Sequence, residues 1–156
     1  MKIVICGSMS HYLKMKELSE QLKSLGHKVI LPEINTNKQL EAISLNKYTD
    51  THSIKIKYDY IRKHYNQITK SDCVLIANYD KKGIRNYIGG NSFLEMGYAY
   101  IMEKPIFLLN PIPKIRLYYH EMVAMKPIII NNNLELISKT TLKSWHQQKK
   151  SLKKQV

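Results

Sequence analysis

Residues 2–31, KIVICGSMSHYLKMKELSEQLKSLGHKVIL, hold two short β-branched runs with one amphipathic segment between them. The first run, residues 2–6, is apolar without alternation and is closed by Gly7, the pattern of a strand buried on both faces. Leu18, Leu22 and Leu25 then recur at helical spacing, and Gly26 supplies a C-terminal stop. Residues 27–31 return to the strand pattern, and Pro32 ends it. A helix between two such strands is the connection that a parallel pair requires.

The alternation continues. Residues 33–52 are polar without a clear period and read as a long loop or irregular helical segment, of the kind that often covers a site. Ile54, Tyr58, Ile61, Tyr65 and Ile68 line one face of a helix predicted over 54–70. Strands follow at 73–77 (CVLIA), 105–109 (PIFLL) and 127–130 (PIII). Between them lie a charged, glycine-containing loop at 79–90, a helix from Asn91 or Ser92 to about Met102, and a short helix over 117–125. A last helix falls within 134–150. The expectation is a single α/β domain with a doubly wound, five-stranded parallel sheet over residues 1–138, and a basic C-terminal helix or tail over 139–156. Ligands of such sheets bind beyond the carboxyl ends of the strands.

Composition narrows the classes. With 156 residues, 44% hydrophobic and 24% charged, the chain suits one globular domain. No apolar run nears the roughly 18 residues of a membrane span, so no membrane partner is expected. The opening MKIVICGSMS is too short an apolar stretch for a secretory signal. Cys6 and Cys73 match no metal or redox spacing and read as reduced core cysteines of a cytoplasmic protein; no metal site is expected. The net charge is +13, of which six lysines fall in the acid-free stretch 139–156. The tail reads as a solubilising surface, while a basic body suits an anionic ligand such as a phosphate or a nucleic acid.

One carboxylate stands out. Residues 88–100, IGGNSFLEMGYAY, set Glu95 in an uncharged run after the pair Gly89-Gly90. Ser92 to Glu95 fits S-x-x-E, a capping box in which Glu95 reaches back to the Ser92 N–H. The other reading is chemical. Near a helix N-terminus a carboxylate stays ionised, and apolar neighbours shield it from water. Such a group captures an oxocarbenium-like sugar carbon.

The segments IVICGS (3–8), SDCVLIA (71–77) and EMGYA (95–99), followed by KPIFLL, resemble the nucleoside 2-deoxyribosyltransferase family. The CGSM loop looks most like the branch that hydrolyses deoxynucleoside 5'-monophosphates. The resemblance runs from residue 2 to about 130. It implies a flavodoxin/Rossmann-like fold, no metal or organic cofactor, and a homodimer whose active site is shared between subunits. It also implies that Glu95 is the nucleophile that attacks the sugar C1'. The chain departs from the family pattern at three places. Val4-Ile5 stands where a tyrosine is usual, His64 where an aspartate protonates the base, and Gly89 where transferases carry an acid.

His64 is either a histidine on the wet side of its helix or a proton donor to the leaving base, since its ordinary pKa is about 6.5. Lys81, Lys82 and Arg85 are candidates for a 5'-phosphate, against the reading of ordinary loop charge. Gly7, Ser8 and Met9 after the first strand, Asp72 at the entry to the third, and Gly89, Gly90, Asn91 and Ser92 at the next helix start are candidates for seating sugar or phosphate. Residues 118–121 correspond loosely to the segment that the family offers to a neighbouring subunit. Three functions follow in order: N-glycosidic bond cleavage or transfer on a nucleoside or nucleotide, a nucleotide-binding module that lost its chemistry, and last a nucleic-acid binder.

Overall fold

The computed structural model describes residues 1–34 and 59–153, with the side chains of the last helix through Gln148. Strands β1 (Lys2–Gly7), β2 (Lys28–Ile30), β3 (Cys73–Ala77), β4 (Ile106–Leu108) and β5 (Ile128–Ile129) make one sheet in the order β2-β1-β3-β4-β5. Every pairing is parallel, with Cys6 opposite Ile76 and Gly7 opposite Ala77 where β1 meets β3. Helices α1 (Tyr12–Ser24), α2 (Tyr60–Thr69), α3 (Gly90–Ile101), α4 (Tyr119–Ala124) and α5 (Lys139–Lys153) connect and extend the strands. This is the flavodoxin-like order, and it confirms the doubly wound α/β reading.

The period of two along each strand explains why the apolar runs do not alternate with polar residues. Ile3, Ile5, Cys73, Leu75, Phe107 and Leu109 face one way, onto Met15, Leu18 and Leu22 of α1 and the segment around Leu134 and Ile137. Val4, Cys6, Val74, Ile76, Ile106 and Leu108 face the other, onto Ile68, Met96, Ala99 and Met122 of α2, α3 and α4. Both faces are covered, so β3, β4 and the interior of β1 are buried, while β2 and β5 at the edges keep some exposure. Leu142 of α5 packs on the first of these clusters, which docks the start of the basic tail.

The elements agree with the sequence expectations in type and, within a few residues, in extent, with one informative difference. The lid-like segment and the first two positions of the apolar face, Ile54 and Tyr58, fall mostly or wholly outside the described residues. In α2, Ile61 points outward at 58% exposure, and the inward positions are His64 and Ile68. A histidine therefore takes an inward place that the periodicity assigned to isoleucine. It faces partners that only the fold supplies.

Candidate active site

In this strand order the chain reverses direction between β1 and β3. The segment after β1 enters α1 on one face of the sheet, while α2 and α3 flank β3 on the other. The crevice at that reversal is where open α/β sheets bind ligands. Cys6 and Gly7 end β1 at its mouth.

Glu95 reaches this crevice from α3. The helix begins at Gly90 with Gly89 as its N-cap, so no acid lies in the first turn and the S-x-x-E capping box does not form. Ser92 is buried at 4% exposure. The Glu95 carboxylate instead meets α2 and β1. Its Oε1 lies 3.4 Å from His64 Nε2, with the two side chains 16% and 11% exposed. The same ring nitrogen hydrogen-bonds Cys6 Sγ at 3.5 Å. The ligand atoms of Cys6, His64 and Glu95 all lie within 4.8 Å of one another.

The electrostatics of this triad follow from its dryness. Burial pushes the Cys6 thiol well above its usual range, helped by the charge of Glu95 and by the hydrogen bond that the thiol donates to it. Desolvation lowers His64 to about 4, with a hydrogen bond to Gln67 opposing it. The imidazole is therefore neutral at pH 7. It sits beside the carboxylate, but the role of acid that protonates a leaving base does not suit a histidine held that low. Tyr65 stacks on Tyr98 with ring centroids 4.6 Å apart, and Tyr98 shares a 2.9 Å hydrogen bond with Thr69. Burial raises the Tyr65 phenol, and the charge of Glu95 adds to the effect, so the phenol keeps its proton.

A second group gathers at the mouth of β1. Lys81 Nζ donates to Ser8 Oγ at 2.6 Å, and Ser8 Oγ lies 3.0 Å from Ser10 Oγ. Lys81 reaches back because its loop is a two-residue hairpin. Lys81 and Ile84 exchange backbone hydrogen bonds across Lys82 and Gly83, both at positive φ, as such a turn demands. Partial burial, then Lys82, lowers the Lys81 ammonium below its ordinary value. Lys82 and Arg85 are exposed on the loop and do not join this group.

The remaining candidates scatter. Gly7 ends β1 and is a packing residue; Met9 opens a 3-10 turn (Met9–His11) and packs on the α1-side core. Gly90 and Asn91 are exposed at the start of α3. Asp72 stands at the opposite, amino end of β3, where its carboxylate accepts the Lys2 N–H at 2.7 Å. It lies at the other end of the strand from the carboxyl ends where such sheets bind ligands. Ser92 is buried in the first turn of α3. Cys6 is the residue that sequence reasoning missed. Its place in an apolar strand gave no sign of it, because only the fold turns it to the α2–α3 side of β1.

A separate cavity of about 120 Å³ lies between α1 and the ends of β3 and β4, lined in part by Lys14, Glu17, Tyr79 and Asn132; Glu95 does not line it. No helix among the described residues is long and apolar enough to cross a membrane.

No family model and no curated protein matches the chain. Among solved structures, the chain is similar to a 2-deoxyribosyltransferase of Bacillus psychrosaccharolyticus, with 22% identity and a TM-score of 0.48 over 69% of this chain and 71% of that one. It is also similar to the CMP N-glycosidase BcmB of Clostridium botulinum, with 14% identity and a TM-score of 0.39 over 69% and 70%. Both likenesses are distant, and what the site can do follows from its own side chains.

Proposed function

We propose that this protein cleaves or transfers the N-glycosidic bond of a nucleoside or nucleoside 5'-monophosphate, with Glu95 as the nucleophile. One observation carries the reading. A carboxylate that the helix does not use as a cap is held, part-exposed, against Cys6 and His64 at the reversal point of the sheet. In such dry surroundings a carboxylate interacts strongly with positive charge developing on a sugar carbon.

In this reading a Glu95 oxygen bonds to C1' as the C1'–N bond breaks, and the electron pair leaves with the base. The base takes its proton from the Tyr65 phenol or from solvent. Water then attacks C1' of the glycosyl ester and releases the sugar, or a second base takes it in transfer. Neutral His64 and the Cys6 thiol orient the carboxylate. Lys81, with Ser8 beside it, is the cation for a 5'-phosphate; Gly7 and Met9 shape that loop, and Gly89, Gly90 and Asn91 border the sugar. The acting form is a homodimer with a shared site, and no cofactor takes part.

Incubation with a panel of nucleosides and 5'-monophosphates, followed by chromatography for free base, tests the proposal. Wild type releases base, and Glu95→Ala lowers the rate at least about a thousandfold. An undiminished rate in Glu95→Ala removes the mechanism. The neutrality of His64 favours a second reading, a nucleotide-binding module without chemistry. It predicts a nucleotide that raises Tm and is not consumed.

A further inference from the structure

We propose that Cys6, His64 and Glu95 form a binding site for a thiophilic divalent cation, zinc foremost, and that its occupation shuts off the activity proposed above. The regulatory half rests on that reading; the metal site stands without it.

The geometry points to a cation. In a tetrahedral zinc site the metal–sulfur distance is about 2.3 Å, and those to nitrogen and oxygen are about 2.0–2.1 Å. Tetrahedral angles then separate nitrogen from oxygen by about 3.3 Å and nitrogen from sulfur by about 3.6 Å. Here His64 Nε2 lies 3.4 Å from Glu95 Oε1 and 3.5 Å from Cys6 Sγ. The nitrogen–oxygen distance is long for a charge-assisted hydrogen bond, about 2.7–2.9 Å. It is close to the edge of a coordination tetrahedron. The third edge, from Cys6 Sγ to the carboxylate, is within 4.8 Å.

The chemistry of the donors agrees. A thiolate, a neutral imidazole and a carboxylate are the three ligand types that zinc takes, whereas magnesium and calcium take oxygen. Two anionic ligands cancel the charge of a divalent ion, so the filled site is neutral and tolerates its burial. On binding, the Cys6 S–H bond is replaced by a sulfur–metal bond and the proton passes to solvent; nothing is oxidised or reduced. The fourth position is left for water. Coordination ties down the Glu95 carboxylate and draws its charge onto the cation, which weakens either oxygen as a nucleophile toward C1'.

The test is titration of the purified full chain with zinc against a competing chelator, together with titration by cobalt(II) read as thiolate-to-cobalt absorption. The expected result is one ion per chain and a charge-transfer band. Cys6→Ser loses the band and weakens zinc binding at least about tenfold, while Cys73→Ala keeps both. A wild-type chain without the band overturns the site, and needs no variant to fold. So does a band that persists in Cys6→Ser. Binding is read without substrate, so the two ideas fail separately. Zinc bound by a chain that releases no base from any nucleotide leaves the site standing and sinks the glycosidic reading. An active enzyme indifferent to micromolar zinc, and without the band, sinks the metal site alone.

Discussion

At the scale of single residues, His64 turns burial into a measurable pH dependence. Its pKa is about 4 in the folded chain and about 6.5 when unfolded. Between those values the unfolded chain binds the additional proton. This contribution to stability is therefore complete above pH 6.5 and is lost as pH falls toward 4. The loss amounts to about 2–3 kcal/mol at pH 4.5. Urea unfolding at pH 7 and pH 4.5 measures it: wild type loses that much more than His64→Gln over the same interval. Equal losses in the two proteins remove the claim. The site was partly legible at this scale. Glu95 is visible in sequence because a lone charge in an apolar run needs a partner. Cys6 is not, because a cysteine in a strand looks the same whether it faces isoleucine or a carboxylate. The chemistry of His64 is invisible too, since its low pKa is set by desolvation that arises only when α2 closes over the sheet.

At the scale of elements, the junction of β1 and α1 sets the crevice, and Gly7 sets the junction. A Cβ at this position would stand 2.8 Å from Met15 Sδ, 3.2 Å from the Ala77 carbonyl oxygen and 3.3 Å from Ala77 Cβ. Met15 is wholly buried, and the Ala77 backbone belongs to β3, so neither yields freely. Gly7→Ala is expected to cost about 1–3 kcal/mol, measured by urea unfolding. Because the clash is partly with a side chain, Gly7→Ala combined with Met15→Ala should cost less than the sum of the two single changes. Strict additivity would mean that the Ala77 backbone alone resists the methyl. Over the described residues strand and helix identities were readable, since buried β-branched runs and leucine periodicity are local signals. The inward face of α2 was not. Ile61 and His64 are three residues apart, and only the fold decides which of them turns to the core.

At the scale of the whole molecule, the helical layer that carries Glu95 also leaves large apolar side chains in water. Leu94 is 59% exposed and Ile101 74%, seven residues apart on one face of α3; Leu117, just before α4, is 88% exposed. Tyr118 is spoken for within the chain. It stacks on Phe93 at 4.5 Å and donates to the Ile88 carbonyl at 2.6 Å, while Leu117 beside it is left to solvent. Scattered apolar residues are ordinary on a surface, whereas a contiguous apolar patch marks an interface, and Leu94, Ile101 and Leu117 are the candidates for one. A stable one needs about 800 Å² from each partner. A second copy of the chain fits the homodimer in the proposed function, and both copies are strongly basic, so salt should strengthen the association by screening their repulsion. Sedimentation equilibrium should give twice the 18.3 kDa chain mass for wild type. The double change Leu94→Glu with Ile101→Glu should give a folded monomer, and base release should fall with the dimer if the site is shared. A wild-type chain that sediments as a monomer while releasing base at full rate would place the whole reaction within one subunit.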